Sequence, residues 1–195
     1  MENAVDTLHY ETVLPILKEV LGRLSSKKEL REFRLVGGTN LSLRFGHSYF
    51  VGNSSLDGEK VKLDVMYTDP FLNDPDVLDG VNFASVEDIV AMKLNAITDG
   101  FGRKKDFWDI HFLLTKFSLQ EMLDLHQKRH PWEHERTTIL KDLNNFVRAD
   151  KDPNPRCLLG KEWQQIKLDL IDEVMSYIDR NSQEKCHVDI IGLTT

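Results

Sequence analysis

Lys93 occupies a position where an ammonium group needs a partner. On a wheel of 100° per residue, Val86, Ile89, Val90, Ala96 and Ile97 form one apolar stripe of a helix over 85–98, with Lys93 in its middle. Desolvating a lone lysine is expensive, so it must meet a carboxylate or a phosphate, or snorkel to the helix edge. Asp106 and Asp109 follow on the next helix, spaced i, i+3, and share a face turned away from Phe107, Ile110 and Leu114. By default that is a solvent face. Upstream, Gly37-Gly38-Thr39 makes a glycine turn between the apolar run Phe33–Val36 and the helical pattern of 40–45. Asp64 lies in the alternating run Lys60-Val-Lys-Leu-Asp-Val-Met-Tyr67, on the face opposite Val61, Leu63 and Val65.

The elements that must position these groups can be read from periodicity. Val13, Leu14, Leu17, Val20, Leu21 and Leu24 recur at helical spacing, with Pro15 expected to interrupt locally. A strand over 33–36, a short helix over 40–45 and a hairpin of 49–51 with 60–67 come next. The Pro-, Asp- and Asn-rich stretch 69–80 is expected to be irregular, and Val81-Asn-Phe a short strand. Ser85-Val-Glu-Asp88 and Ser118-Leu-Gln-Glu121 have the form of capping boxes that open helices. Gly100 and Gly102 separate the first of these from a helix over 104–116. Further helices are expected over 134–146 and 161–178, divided by the proline-bearing loop 148–156. The order predicts an α+β fold, a small mixed sheet flanked by helices with a helical C-terminal half. A compositional shift near Gly80 divides the chain into 1–80 and 81–195, with the second part completing the site.

Composition excludes several classes. A chain of 195 residues with 41% hydrophobic and 29% charged residues is ordinarily globular. No apolar run approaches a membrane span, and the first residues are acidic where a secretion signal is basic, so a cytoplasmic protein is expected. Cys157 and Cys186 lack ligand spacing and are expected to be free thiols. The net charge of −7 argues against a general nucleic-acid coat, and Arg103-Lys104-Lys105 reads as a solvated helix start. His126, His130 and His134 could stack on one helix face, but Pro131 falls among them and argues against a metal site there.

Four words, in order, carry a resemblance: Phe33-Arg-Leu-Val-Gly-Gly-Thr-Asn-Leu-Ser-Leu-Arg-Phe-Gly-His47, Lys62-Leu-Asp-Val65, Ala84-Ser-Val-Glu-Asp-Ile-Val-Ala-Met-Lys-Leu-Asn-Ala-Ile97 and Lys104-Lys-Asp-Phe-Trp-Asp-Ile110. Together they resemble the AbiEii-type toxins of the polymerase-beta-like nucleotidyltransferase superfamily. The resemblance implies a bacterial type IV toxin-antitoxin or phage-defence protein with a cognate antitoxin. Its activity would be Mg2+-dependent transfer of a nucleotidyl group from a nucleoside triphosphate to RNA such as tRNA, or to protein. It also implies that Gly37, Gly38 and Thr39 cradle the nucleotide, that Asp64 is the third metal-binding acid, that Lys93 and Asp106 serve catalysis, and that Asp109 follows in the same motif.

The chain departs from this pattern after His47. There the family carries a D-x-D strand, whose alternating side chains place two acids on one face. Here Ser48-Tyr-Phe-Val-Gly-Asn-Ser-Ser follows, the acid positions fall on Gly52 and Ser54, and the first acid is Asp57. About one strand and its connection are missing at that junction, by a genuine deletion or by a segment dropped from the sequence. The alternative function is therefore a catalytically inactive relative that binds nucleotide, RNA or a protein partner.

Overall fold

Pro15 opens the first helix rather than interrupting it. Its fixed φ suits the first helical position, where a missing N–H costs nothing, and α1 spans Pro15–Ser25. The structure is a computed structural model that describes residues 7–49 and 64–192. The expected 49–51/60–67 hairpin falls largely outside them. Where it can be compared, it differs: residues 64–67 are exposed and form no strand. Instead β1 (Ser48–Tyr49) pairs antiparallel with β4 (Arg156–Cys157), from a segment read as irregular loop. Two-residue pairings such as this carry no periodicity signal, so only the folded chain reveals them.

The stretch 69–80 is not irregular throughout, although its composition predicts that. β2 (Asp76–Leu78) pairs antiparallel with β3 (Val81–Phe83) through a two-residue turn, Asp79-Gly80, with φ of 50° and 77°. Left-handed values at both central positions suit the right-handed twist of a hairpin, and Asp-Gly is a preferred sequence for such turns. Leu35 forms a parallel bridge to Phe83, donating its N–H to Asn82 and accepting from the Ala84 N–H at 3.0 Å. The expected strand over 33–36 is thus reduced to one bridge on this small mixed sheet.

The helices follow as α2 (Gly37–Phe45), α3 (Val86–Ala96), α4 (Lys104–Leu113), α5 (Leu119–Arg129), α6 (Arg136–Leu143) and α7 (Trp163–Gly192). Ser85 Oγ accepts from the Asp88 N–H and caps α3, whereas Ser118 and Glu121 close a full capping box on α5. α3 ends through a wider turn, Ile97–Phe101, where Gly100 takes φ 73°. α7 runs past the expected end at residue 178.

This α+β arrangement has two apolar clusters. The larger joins α3, α4, α5 and α7 through residues such as Ile89, Leu94, Ile110, Leu123, Ile166 and Leu170, all essentially excluded from solvent. The smaller seats α1 on the hairpin through Leu21, Leu43, Val81 and Phe83. Burial of such side chains contributes roughly 1.5–3 kcal/mol each before chain entropy is counted, so packing rather than propensity holds these short helices. Among the described residues no helix is long and apolar enough to cross a membrane.

Candidate functional site

Asn40 sets the position of the glycine turn. Its buried Nδ2 donates to the Leu35 and Ala84 carbonyls at 2.7 and 3.0 Å, tying the first turn of α2 to the bridge strand and to the start of α3. Arg44, one turn on, donates from Nε to Asn40 Oδ1 at 2.9 Å and pairs with Asp76 of β2 at 2.7 Å. The start of α2 is therefore held from below by the sheet. Gly37, at φ 76°, makes the turn into the helix, a conformation that costs an L side chain about 1–2 kcal/mol.

The far side of the turn is built by α3 and α4. Lys93 is buried and places its Nζ 2.6 Å from both Asp106 Oδ1 and Asp109 Oδ2. The spacing i, i+3 puts both acids on the same face of α4, as the sequence suggests, but that face is interior rather than solvated: Asp106 is 2% and Asp109 3% exposed. Asp106 Oδ2 also accepts from the Arg103 N–H at 3.0 Å, closing the first turn of α4. His47 Nε2 lies 2.9 Å from Asp109 Oδ1, its ring stacked on Phe112 at 4.4 Å. A Cβ on Gly38 would stand 3.1 Å from Asp109 Oδ2. Gly38, His47, Lys93, Asp106 and Asp109 thus form one cluster, drawn from α2, α3, α4 and the residue before β1.

Charge compensation sets the protonation states. Burial pushes both aspartates up, yet Lys93, with His47 for Asp109 and the Arg103 amide for Asp106, holds them below the usual carboxylate range. Burial likewise acts to lower the Lys93 ammonium, and Asp109 and Asp106 more than reverse it. At neutral pH the lysine is a cation locked between two anions.

The neighbouring cations divide in function. Lys104 is buried, its Nζ donating to the Asp152 carbonyl and Asn154 Oδ1, and so is structural. Lys105 is half-buried one turn before Asp109. Burial first, then Arg103 and Lys93, push its ammonium below the usual lysine range. A lysine whose charge is disfavoured by desolvation and by other cations gains most from an added anion. Reading 103–105 as a solvated helix start missed this, because three adjacent residues on a helix point in three directions.

Asp64 lies on the exposed stretch that precedes Thr68. Arg129 fastens that stretch to the helices. It donates from Nη2 to Thr68 Oγ1 and the Asp69 carbonyl and from Nη1 to the Pro70 carbonyl, and pairs with Asp88 Oδ1 at 2.6 Å. Asp88 in turn accepts from the Leu72 N–H at 2.8 Å and the Ser85 hydroxyl at 2.7 Å. Arg129 carries no motif in the sequence, and Asp88 stands there only as part of the helix cap and of the Ala84–Ile97 word.

A Gly38→Ala variant tests the closeness of α2 and α4. The added methyl displaces the Asp109 carboxylate and is expected to lower stability by about 1–3 kcal/mol, measured as a fall in the urea midpoint without a change in slope.

A family model described as the nucleotidyl transferase AbiEii toxin of a type IV toxin-antitoxin system matches residues 48–185. The match begins at Ser48, so the Phe33–His47 word lies on its N-terminal side. No curated protein and no solved structure matches the chain.

Proposed function

The chain belongs to the AbiEii nucleotidyl transferase toxin family, and from that membership we propose that it binds a nucleoside triphosphate at the glycine-headed start of α2 without transferring a nucleotidyl group. The exposed amides at a helix start favour phosphate oxygens. Lys105, in the first turn of the helix whose Asp109 abuts Gly38, and Arg103, the residue that precedes that helix, supply the cations. Lys93, locked to two acids, orders the floor of the site instead of meeting phosphate.

The observation that carries the binding-only reading is the commitment of Asp106 and Asp109 to Lys93. A pair of magnesium ions asks for several carboxylate oxygens free to coordinate. Among the described residues the acids beside the turn are already neutralised, and positions 52 and 54 are glycine and serine. Among the described residues, the acids beside the turn do not fit a two-magnesium cage. The family match supports a second reading, transfer to an RNA such as tRNA, with Asp64 as one metal ligand and an antitoxin as partner.

One experiment separates the two. Radiolabelled ATP, GTP, CTP and UTP are offered to the chain with Mg2+, with and without total tRNA. Retention of labelled triphosphate on the protein, weakened at least ten-fold in Lys105→Ala, with no label in RNA or protein, is the expected result. Covalent label in RNA or protein would establish transfer, and no retention of any triphosphate would sink the binding proposal.

A further inference from the structure

Pro131 does not keep the three histidines apart. His126 and His130 have ring centroids 5.2 Å apart, and His126 and His134 6.1 Å. Their partners differ, however. His126 Nε2 faces Asn95 Oδ1 at 3.1 Å and His134 Nε2 faces Asp99 Oδ1 at 2.8 Å. His130 turns its Nδ1 towards two carboxylates, 2.9 Å from Asp69 Oδ2 and 3.4 Å from Glu133 Oε2.

The geometry points to a site for one divalent transition-metal ion, of the zinc class, held by His130 Nδ1, Asp69 and Glu133. The three ligand atoms lie within 4.8 Å of one another. Ligand atoms on a tetrahedral ion with bonds near 2.1 Å stand roughly 3.4 Å apart, so the set needs little adjustment. His130 is 94% withdrawn from solvent, yet its Nδ1 makes a hydrogen bond with neither acid despite their closeness. Two acceptor oxygens converging on a buried imidazole nitrogen without hydrogen-bond direction is the arrangement a bridging cation satisfies.

The local backbone supports this reading. His130 caps the C-terminus of α5, where the helix dipole favours a cation. The turn after it, with the Glu133 N–H directed to the His130 carbonyl at 3.3 Å, brings Glu133 Oε2 back to 3.4 Å from Nδ1. Asp69 is delivered by a separate device, since Arg129 holds the Asp69 carbonyl and that of Pro70. The ligands come from two segments far apart in sequence, so an ion there would clamp the stretch that follows Asp64 onto α5. An imidazole nitrogen in the set selects zinc-like ions over magnesium, which prefers oxygen and water.

Isothermal titration of the full chain with Zn2+, in a Cys157→Ser/Cys186→Ser background to remove both thiols, tests the site independently of any nucleotide chemistry. One equivalent is expected to bind and to raise the thermal midpoint, while Mg2+ at the same concentration does neither. Asp69→Asn and Glu133→Gln, both at side chains open to solvent by 52% and 40%, should each weaken binding at least ten-fold while leaving the metal-free midpoint within about a degree. Absence of saturable Zn2+ binding, or binding unchanged in both variants, would overturn the assignment. His130→Ala alone would not serve, because a buried ring removed from the α5 cap also disturbs folding.

Discussion

Replacing Lys93 with methionine is expected to remove about 3–5 kcal/mol of folding stability, the cost of leaving a buried charge without its partner. Asp106 and Asp109 would then share one buried site without the ammonium that both face, left only with Arg103 and His47 as partners. Against a total stability of about 5–15 kcal/mol this is a large fraction, and a marginal chain would not fold at all. The pH dependence provides a sharper test than the midpoint alone. In the native protein both acids are held below their ordinary range. Their contribution is therefore fully present above the unfolded carboxylate value of about 4 and is lost as pH falls through the lower folded values. Lys93, held above its ordinary range, contributes fully below about 10 and loses its contribution as pH rises through the folded value. The native protein should hold this stabilisation between those limits. In Lys93→Met the sign at the acidic end inverts: burial and mutual repulsion raise the aspartates, and protonation relieves them. Urea unfolding at pH 7 and pH 5 should show the variant gaining stability on acidification while the native protein does not. Equal losses at both pH values would refute the charge-locked floor of the site.

Arg129→Leu should be nearly as damaging, by about 3–5 kcal/mol, because both partners of the Arg129–Asp88 pair have no side-chain exposure at all. The consequences differ in place. Besides leaving Asp88 without its cation, the change releases Thr68, Asp69 and Pro70, which Arg129 holds through three acceptors, Thr68 Oγ1 and the Asp69 and Pro70 carbonyls. Hydrogen exchange should therefore quicken first at the Leu72 and Asn73 amides, both directed at Asp88. The double variant Asp88→Asn/Arg129→Leu should lose clearly less than the sum of the single changes, since it leaves no buried charge. Additive losses would mean that the pair is not energetically coupled and that the exposed stretch is held by other contacts.

Helices α3, α4 and α5 were legible because eleven or so residues of 3.6-fold periodicity, bounded by Ser85, Gly100 and Ser118, leave few alternatives. The short strands were not. β1 and β4 owe their existence to a partner more than a hundred residues away in the chain, and β2 was obscured by the surrounding Pro and Asp, although Asp79-Gly80 marks the hairpin in retrospect. The site divides in the same way. Lys93 on an apolar stripe announces that an anion must lie opposite it, because desolvation of a lone ammonium is prohibitive.

Which anion meets it depends on packing. The i, i+3 spacing of Asp106 and Asp109 is equally consistent with a solvated face, and their burial depends on α2 and α3 covering α4, with Gly38 small enough to admit the second carboxylate. The residue types at 37–39, 64, 93 and 106, and the lack of acids at 52 and 54, follow from the amino-acid order alone, whereas the family relationship rests on the match over residues 48–185. Tertiary contact assigns Lys93 to two aspartates, brings His47 and Gly38 against Asp109, and joins Asp69 to His130 and Glu133. Periodicity reports how one element faces its core, whereas charge pairing between elements is decided by distances that no local pattern encodes.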